Sequence, residues 1–575
     1  MVISSLSRTI KWEGLSLVTG YAKGKALVLK PFSEYEVEKT DFPVLERQKF
    51  YKAVQKLEKE LSRTLKNKIS NEQKSLLETS KMLLLDRGWN KKIENFILEG
   101  FTAKTAIYRV TEEITKRMAE LEDVYLRERM QDFQDLALRL LNCLEEKEEK
   151  LEDAVILVGK NLGPAQLMDY DLSKIKGIVL AEGSATMHVA IVARAYGIPL
   201  IGGIHQIWKK IQTGDSLALN AKKGFLYKNP SDEILDELNV AQKQLKHQES
   251  LELKNKAKPS FTQDSVKIDL GINLGLADDI LLANAPPFDK VGLYRTELPF
   301  MLAKELPNCE TQVSLYKKVL AQVKGKPVIF RTLDIGSDKV LPYTRPQKEE
   351  NPAMGWRSTR MTLDRRALLR VQLRALIRSV EGNSLYVMFP MIAEISEFLM
   401  AKRTLEFELE QAKANHEIIP EKVFVGTMLE IPSLYFSLKK NIQLFDFVSI
   451  GTNDLKQFFF ASDRGNKSLF GRYDNLSVSF LVFLKKIQEL CSKAHIPCSV
   501  CGEMAGNPLE AMVLIGLGFK SLSMNPYALL KVKTALRNLN KKNFSSYLNR
   551  LLETEEGSIR SAVIAYLRDH KVWEE

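Results

Sequence analysis

Cysteine is scarce in this chain: 5 among 575 residues, an odd number. So few thiols exclude a disulfide-stapled secreted scaffold and point to a reducing compartment, with cytoplasm the expected location. No apolar run is long enough to span a bilayer, and the N-terminus carries Arg8 and Lys11 without the apolar core of a signal peptide. No P-loop, internal repeat or low-complexity tract is evident. A phosphate-tracking basic stripe is missing too. The net charge is +12, but the bases are interleaved with acids, as in Lys56-Leu-Glu-Lys-Glu60 and Glu145-Glu-Lys-Glu-Glu-Lys150. Such runs read as solvated helix faces, so neither nucleic acid nor membrane insertion is expected.

Glycine and proline are almost absent between residues 34 and 145, and that block reads as helical. Apolar residues recur at spacings of three and four over 50–65, 74–85 and 123–141, as in a bundle of roughly four helices. Residues before it hold short apolar runs broken by Gly14, Gly20 and Gly24; after it come the strand-like segments AVILV (154–158) and GIVL (177–180). The expected organisation is an α/β domain over 1–33 and 146–230, interrupted by a helical insert over 34–145. A charged linker helix over 231–260 and a second α/β block over 261–575 complete it.

The second block carries apolar runs at 268–274, 290–294, 327–333, 385–391, 423–430, 445–450, 497–501 and 520–524, with helical stretches between them. That alternation predicts a C-terminal (β/α)8 barrel in an α/β multidomain chain; a doubly wound open sheet is the alternative. Barrel enzymes keep their chemistry at the C-terminal ends of the strands. Here those ends read Arg295-Thr-Glu297, Arg331-Thr-Leu-Asp334, Phe389-Pro-Met391, Glu430, Asn453-Asp454 and Cys501-Gly-Glu503, with Arg357 and Arg464 on nearby loops. Guanidinium forks suit phosphate and carboxylate, Glu430 and Asp454 are hard oxygen donors for Mg²⁺, and a neutral thiol can protonate an enolate carbon. The competing reading is structural ion pairing, which loses weight when so many strand ends are charged together. Cys498-Ser-Val-Cys501 has C-x-x-C spacing, but a zinc or redox site would need further partners, and only Cys491 and His495 lie close.

His188 follows a strand and a small-residue turn, where a helix is expected to begin. The helix dipole keeps an imidazole there neutral and nucleophilic, and free backbone N–H groups can meet a phosphoryl group.

The runs GLYRTELPFM (292–301), FRTLDIGSDK (330–339), ENPAMGWRSTR (350–360), VQLRAL (371–376), MFPMI (388–392), GTMLEIPS (426–433), SIGTNDLKQ (449–457), SDR (462–464) and CGEMAG (501–506) resemble the phosphoenolpyruvate-using enzyme family. Their order and spacing are similar to enzyme I of the bacterial sugar phosphotransferase system. The resemblance implies that Arg295, Arg331, Arg357 and Arg464 hold phosphoenolpyruvate, with Asn453 and Asp454 assisting. It implies Mg²⁺ on Glu430 and Asp454, Cys501 as proton donor, and His188 as the phosphorylated histidine. The helical insert would dock the carrier protein HPr, and the barrel would form a homodimer. Pyruvate would be released in the first step of sugar uptake.

Several positions depart from the family pattern: Ser337 in the barrel, where a Gly is usual; Ser184, Ala185 and Met187 in the histidine box; Leu162-Gly-Pro-Ala165 upstream of it; and Ser80 where a His is usual. A dikinase or synthase is not expected, since it would need an ATP-binding domain ahead of the histidine domain and no P-loop is read in this sequence. The alternative function is a regulatory or docking protein whose altered histidine box transfers phosphate weakly or not at all.

Overall fold

A computed structural model describes residues 9–29, 37–65, 80–119, 134, 136–144, 154–163, 166–167, 170–182, 188–275, 286–303, 305–336, 341, 349–464, 466–469, 471–554 and 556–573. Ser337, Ala165, residues 183–187 of the histidine box, and most of the expected helices at 74–85 and 123–141 lie outside them. Two compact units divide the chain, Met1–Gln248 and Glu249–Glu575. No helix among the described residues is long and apolar enough to cross a membrane.

The first unit is built on a sheet of eight strands: β1 (Ile10–Glu13), β2 (Leu15–Val18), β3 (Tyr21–Val28), β4 (Val155–Gly159), β5 (Ile175–Leu180), β6 (Leu200–Gly202), β7 (Ser216–Asn220) and β8 (Phe225–Lys228). Their spatial order is β1-β8-β7-β3-β4-β5-β6-β2. Strands β3 to β6 run parallel, and β4 and β5 are apolar and buried throughout or nearly so, as strands covered on both faces must be. The chain leaves the sheet after β3 and re-enters in β4 at β3's side. Between them lie the helices Pro43–Leu65, Arg87–Leu98 and Ala103–Ala119 and a helical stretch at 136–144, with a core of their own around Phe50, Leu57, Trp89, Ile93, Ile107 and Leu140. Gly24 marks the re-entry: a Cβ there would lie 1.9 Å from the Ala154 carbonyl oxygen, to which the neighbouring Lys25 N–H bonds at 3.0 Å.

The second unit is a closed parallel barrel of β9 (Asp269–Leu274), β10 (Lys290–Arg295), β11 (Val328–Arg331), β12 (Leu385–Phe389), β13 (Val423–Leu429), β14 (Phe447–Ile450), β15 (Cys498–Val500) and β16 (Ser521–Met524). Every neighbouring pair is parallel, and β16 closes onto β9 through Ser521↔Asp269 to Met524↔Ile272. Closure rules out the open doubly wound sheet. All eight predicted apolar runs are barrel strands. Most connections carry helices whose buried faces form one large core with the strands.

The long connection after β14 is pinned at its far end. Arg560 forks onto Asp474, 2.6 Å from Nη2 to Oδ1 and 2.9 Å from Nε to Oδ2, and also reaches Glu510 Oε1 at 2.7 Å. Burial alone would raise the Asp474 carboxyl, but the Arg560 fork and the Ser558 hydroxyl outweigh it and hold the pKa down at about 2. A carboxyl that binds its proton less tightly when folded adds stability above its unfolded value and loses it as pH falls. Asp474→Asn should therefore cost on the order of 1 kcal/mol at pH 7, the pair being partly solvent-screened. Urea melts should show that deficit shrinking from about pH 5 downward toward pH 2.

Candidate active site

The C-terminal ends of β10, β11, β13, β14 and β15 bring the predicted barrel residues to one mouth. Arg295 ends β10 and Arg331 ends β11, as register partners. Arg295 is exposed, whereas Arg331 is buried. Arg331 pairs through Nη2 with Glu297 Oε1 and through Nη1 with Asp334 Oδ2 at 3.2 Å. Arg357, only 1% exposed, reaches the other oxygen of Asp334 at 2.9 Å. Burial alone would lower the Arg331 guanidinium, but Glu297 and Asp334 outweigh it and raise its pKa further. Its charge is fixed.

Glu430 directly follows β13 and is buried; its Oε2 accepts the Met391 N–H at 3.0 Å. Met391 has a φ of +54°, and Ser358, beside Arg357, has +57°. Left-handed backbone at non-glycine residues is strained, and strain of this kind gathers at functional sites. Asp454 and Asn453 sit in the first turn of the helix Thr452–Phe459 after β14. Asn453 Oδ1 accepts the Glu503 N–H at 3.1 Å, so it also braces the loop after β15. Arg464 is half-exposed, with Nη1 3.7 Å from Asp454 Oδ1. Burial and then the Asp454 charge push the Glu430 carboxyl up to about 8. Cys501 is buried, its Sγ 3.6 Å from the Ile450 carbonyl oxygen, and burial is the main force raising its thiol to about 11. At neutral pH it is a thiol, as a proton donor must be.

Several buried polar atoms at this mouth have no hydrogen-bond partner: Arg331 Nε, Thr332 Oγ1, Thr452 Oγ1 and Asp454 Oδ1. Each such atom costs about 1–3 kcal/mol, which a bound anion, cation or water can offset. Their clustering makes this mouth the candidate ligand site.

Gly451 makes room for Glu430. A Cβ there would lie 2.7 Å from Glu430 Oε1, 2.8 Å from its Cγ and 3.0 Å from Met428 Cε. The Gly451→Ala variant should lose about 1–3 kcal/mol of stability through overpacking. If the added methyl displaces the Glu430 carboxylate by about 1 Å, turnover should also fall about 100-fold. Melting curves and initial rates measure the two effects separately.

Other groups at the mouth were not assigned a role from sequence. Glu297 and Asp334 stood within quoted strand ends, yet their function as partners of Arg331 and Arg357 is visible only in space. Asn273 on β9 was missed altogether; its Nδ2 donates to the Cys501 carbonyl at 2.9 Å and its Oδ1 accepts the Ser523 hydroxyl at 2.6 Å. A lone amide inside an apolar strand was the available signal. Cys498 lies at the opposite end of β15 from Cys501, partly buried against the barrel core. Among the described residues no group of three or more His, Cys, Asp or Glu side chains is placed to hold a metal.

In the first unit the helix His188–Ala195 begins at His188, after β5, and Val189, Ala190, Val192 and Ala193 bury its inner face against the sheet.

Family models of the PEP-utilising enzymes match most of the chain: the N-terminal domain at 13–129, the mobile domain at 151–224 and the PEP-binding domain at 249–541. The chain belongs to the PEP-utilising enzyme family. Within it, the chain is 33% identical over 540 residues to the phosphoenolpyruvate-protein phosphotransferase of Haemophilus influenzae, covering 92% of this chain and 94% of that one. Against the protein of the same name from Mycoplasma capricolum the identity is 32% over 569 residues, 96% of this chain and 97% of that one. The protein of that name from Buchnera aphidicola (subspecies Baizongia pistaciae) gives 32% over 544 residues, 91% and 93%. The chain is a phosphotransferase enzyme of this kind.

Proposed function

We propose that the barrel mouth binds phosphoenolpyruvate and that His188 takes its phosphoryl group for delivery to the carrier protein HPr. The imidazole nitrogen forms the new N–P bond as the bond from phosphorus to the enol oxygen breaks. The enolate carbon then receives the Cys501 proton and leaves as pyruvate. Arg295, Arg331, Arg357 and Arg464 hold the phosphate and carboxylate, with Arg331 and Arg357 already oriented by Asp334 before substrate arrives. Asn453 and Asp454 assist. The convergence of buried Arg331, Arg357, Glu430 and Cys501 at one mouth carries this reading.

Glu430 and Asp454 fit a divalent cation: they are hard oxygen donors, Asp454 Oδ1 has no hydrogen-bond partner, and two carboxylates leave coordination places for water and substrate oxygens. Mg²⁺ held there would neutralise charge on the phosphoryl oxygens. A carboxyl raised to about 8 when folded favours folding at low pH and loses that contribution as pH climbs from about 4 to about 8. Metal-free Glu430→Gln should therefore gain stability relative to the parent across that interval, and Mg²⁺ should raise the parent's Tm but not the variant's. Thermal melts with EDTA or Mg²⁺ at stepped pH test both statements.

The helical block 34–145 is proposed to dock HPr, the segment 231–260 to serve as a linker between the α/β unit 1–33 plus 146–230 and the barrel 261–575, and the barrel to form a homodimer in the cytoplasm. Sugar uptake is the downstream process. In the test, radiolabelled phosphoenolpyruvate with Mg²⁺ should leave acid-labile label on the chain, release pyruvate and surrender the label to HPr. Tight binding without labelling would favour the second reading, a phosphoenolpyruvate-responsive docking protein, which the departures at Ser184, Ala185 and Met187 recommend.

A further inference from the structure

Strands β10 and β11 stop at Arg295 and Arg331, and their ladder stops with them. Beyond that point a side chain takes over. Gln372, 1% exposed, projects from the helix Arg366–Ser379 between β11 and β12. Its Oε1 accepts the Leu333 N–H at 2.9 Å, two residues past Arg331. Its Nε2 donates to Thr296 Oγ1 at 3.0 Å, one residue past Arg295, and lies 3.4 Å from the Tyr316 hydroxyl. We infer that Gln372 is a positioning residue for the reaction, setting the separation of the two arginine-bearing strand ends. The inference rests on the substrate site proposed above.

Donor and acceptor logic fixes the network's direction. A backbone N–H can only donate, so the Leu333 N–H fixes which end of the Gln372 amide is oxygen. The amide NH₂ must then face Thr296 and Tyr316, whose own protons point onward. Thr296 donates to the Arg331 carbonyl at 2.9 Å and Tyr316 to Gln312 Oε1 at 3.2 Å. Gln312 in turn donates to the Pro307 carbonyl at 2.8 Å. Beneath this chain of bonds the residues preceding the two arginines, Tyr294 and Phe330, pack edge-on at 5.5 Å, with Tyr316 5.4 Å from Phe330. The rows behind the arginines are thus fixed by packing, and the rows beyond them by the Thr296 hydroxyl together with one amide.

Glu297 follows Thr296, and Asp334 follows Leu333. These are the two carboxylates that orient Arg331, and Asp334 also holds Arg357. Releasing the amide therefore loosens Arg331 and Arg357 together, although Gln372 itself is not required to touch the substrate.

Gln372→Met, close in volume but without amide groups, should lower kcat/KM for phosphoenolpyruvate about 10–100-fold, chiefly through KM, at temperatures where the variant is fully folded. Should that variant fail to fold, Thr296 decides. Thr296→Val should raise KM in the same way, and Thr296→Ser, which keeps the hydroxyl, should restore it. A fall in Tm with KM and kcat unchanged in Gln372→Met and Thr296→Val would reduce Gln372 to a structural part and overturn the inference. Arg331→Lys is run alongside: if it leaves KM for phosphoenolpyruvate untouched, the substrate site itself is misplaced and both readings fall. An Arg331→Lys effect without a Gln372 or Thr296 effect overturns the positioning role alone.

Discussion

A His188→Ala chain should take up no phosphoryl label and release no pyruvate above background, yet bind phosphoenolpyruvate as tightly as the parent. The loss is expected to be total because the covalent step has no substitute. Nucleophilic catalysis divides one hard transfer into two easier ones, and without the nucleophile neither half exists. The backbone supports the choice of residue. His188 is the first residue of its helix, and the free N–H groups and positive dipole end of a helix N-terminus favour a phosphoryl group. The helix is anchored by Val189, Ala190, Val192 and Ala193, so truncating its first side chain should leave the unit folded. The substrate site proposed above lies in the other compact unit, hence the expected split between labelling and binding. Label that persists on the alanine variant, or pyruvate released at the parent's rate, would sink the mechanism.

Arg331 has the second-largest expected effect, and it acts on folding and on catalysis together. Its removal leaves Glu297 and Asp334 buried with one guanidinium fewer between them. Breaking a buried pair in this way costs about 3–5 kcal/mol, so Arg331→Ala should melt far below the parent. Arg331→Lys separates the two roles. It keeps the charge that the carboxylates need, but an ammonium cannot reproduce a fork that holds Glu297 and Asp334 while offering Nε, which has no hydrogen-bond partner, to a ligand. The lysine variant is expected to fold, with kcat/KM reduced about 100–1,000-fold, the scale of losing one preorganised donor. If Arg331→Lys turned over at the parent's rate, the guanidinium would be only a structural counter-ion, as the ion-pairing alternative holds.

The barrel was legible because a parallel strand covered on both faces must be an apolar run, and each run here is separated from the next by helical spacing. The polar residues that end those runs, from Arg295 to Cys501, were legible for the same reason: they interrupt a pattern. What escaped was the support behind them. Gln372 stood inside a quoted motif, on a helix whose buried face tolerates an amide only because Thr296 and Leu333, far away in sequence, meet it there. Asn273 escaped likewise, since its partners Cys501 and Ser523 lie at the other end of the chain. Bonds between distant segments leave no local periodicity. The helical block shows a milder form of this effect: periodicity suggested a helix from 50 to 65, whereas the helix Pro43–Leu65 begins earlier, with proline in its first turn.

The pairing of β16 with β9 also has a consequence for how the protein is made. Asp269–Leu274 leaves the ribosome long before Ser521–Met524, the neighbour that closes the cylinder. At roughly 5–20 residues per second, the growing barrel spends tens of seconds with an open, apolar edge. The earlier unit is complete by Phe225–Lys228, so it can fold while the barrel is still being translated. Nascent chains halted between β15 and β16 should accordingly be the ones most in need of a chaperone.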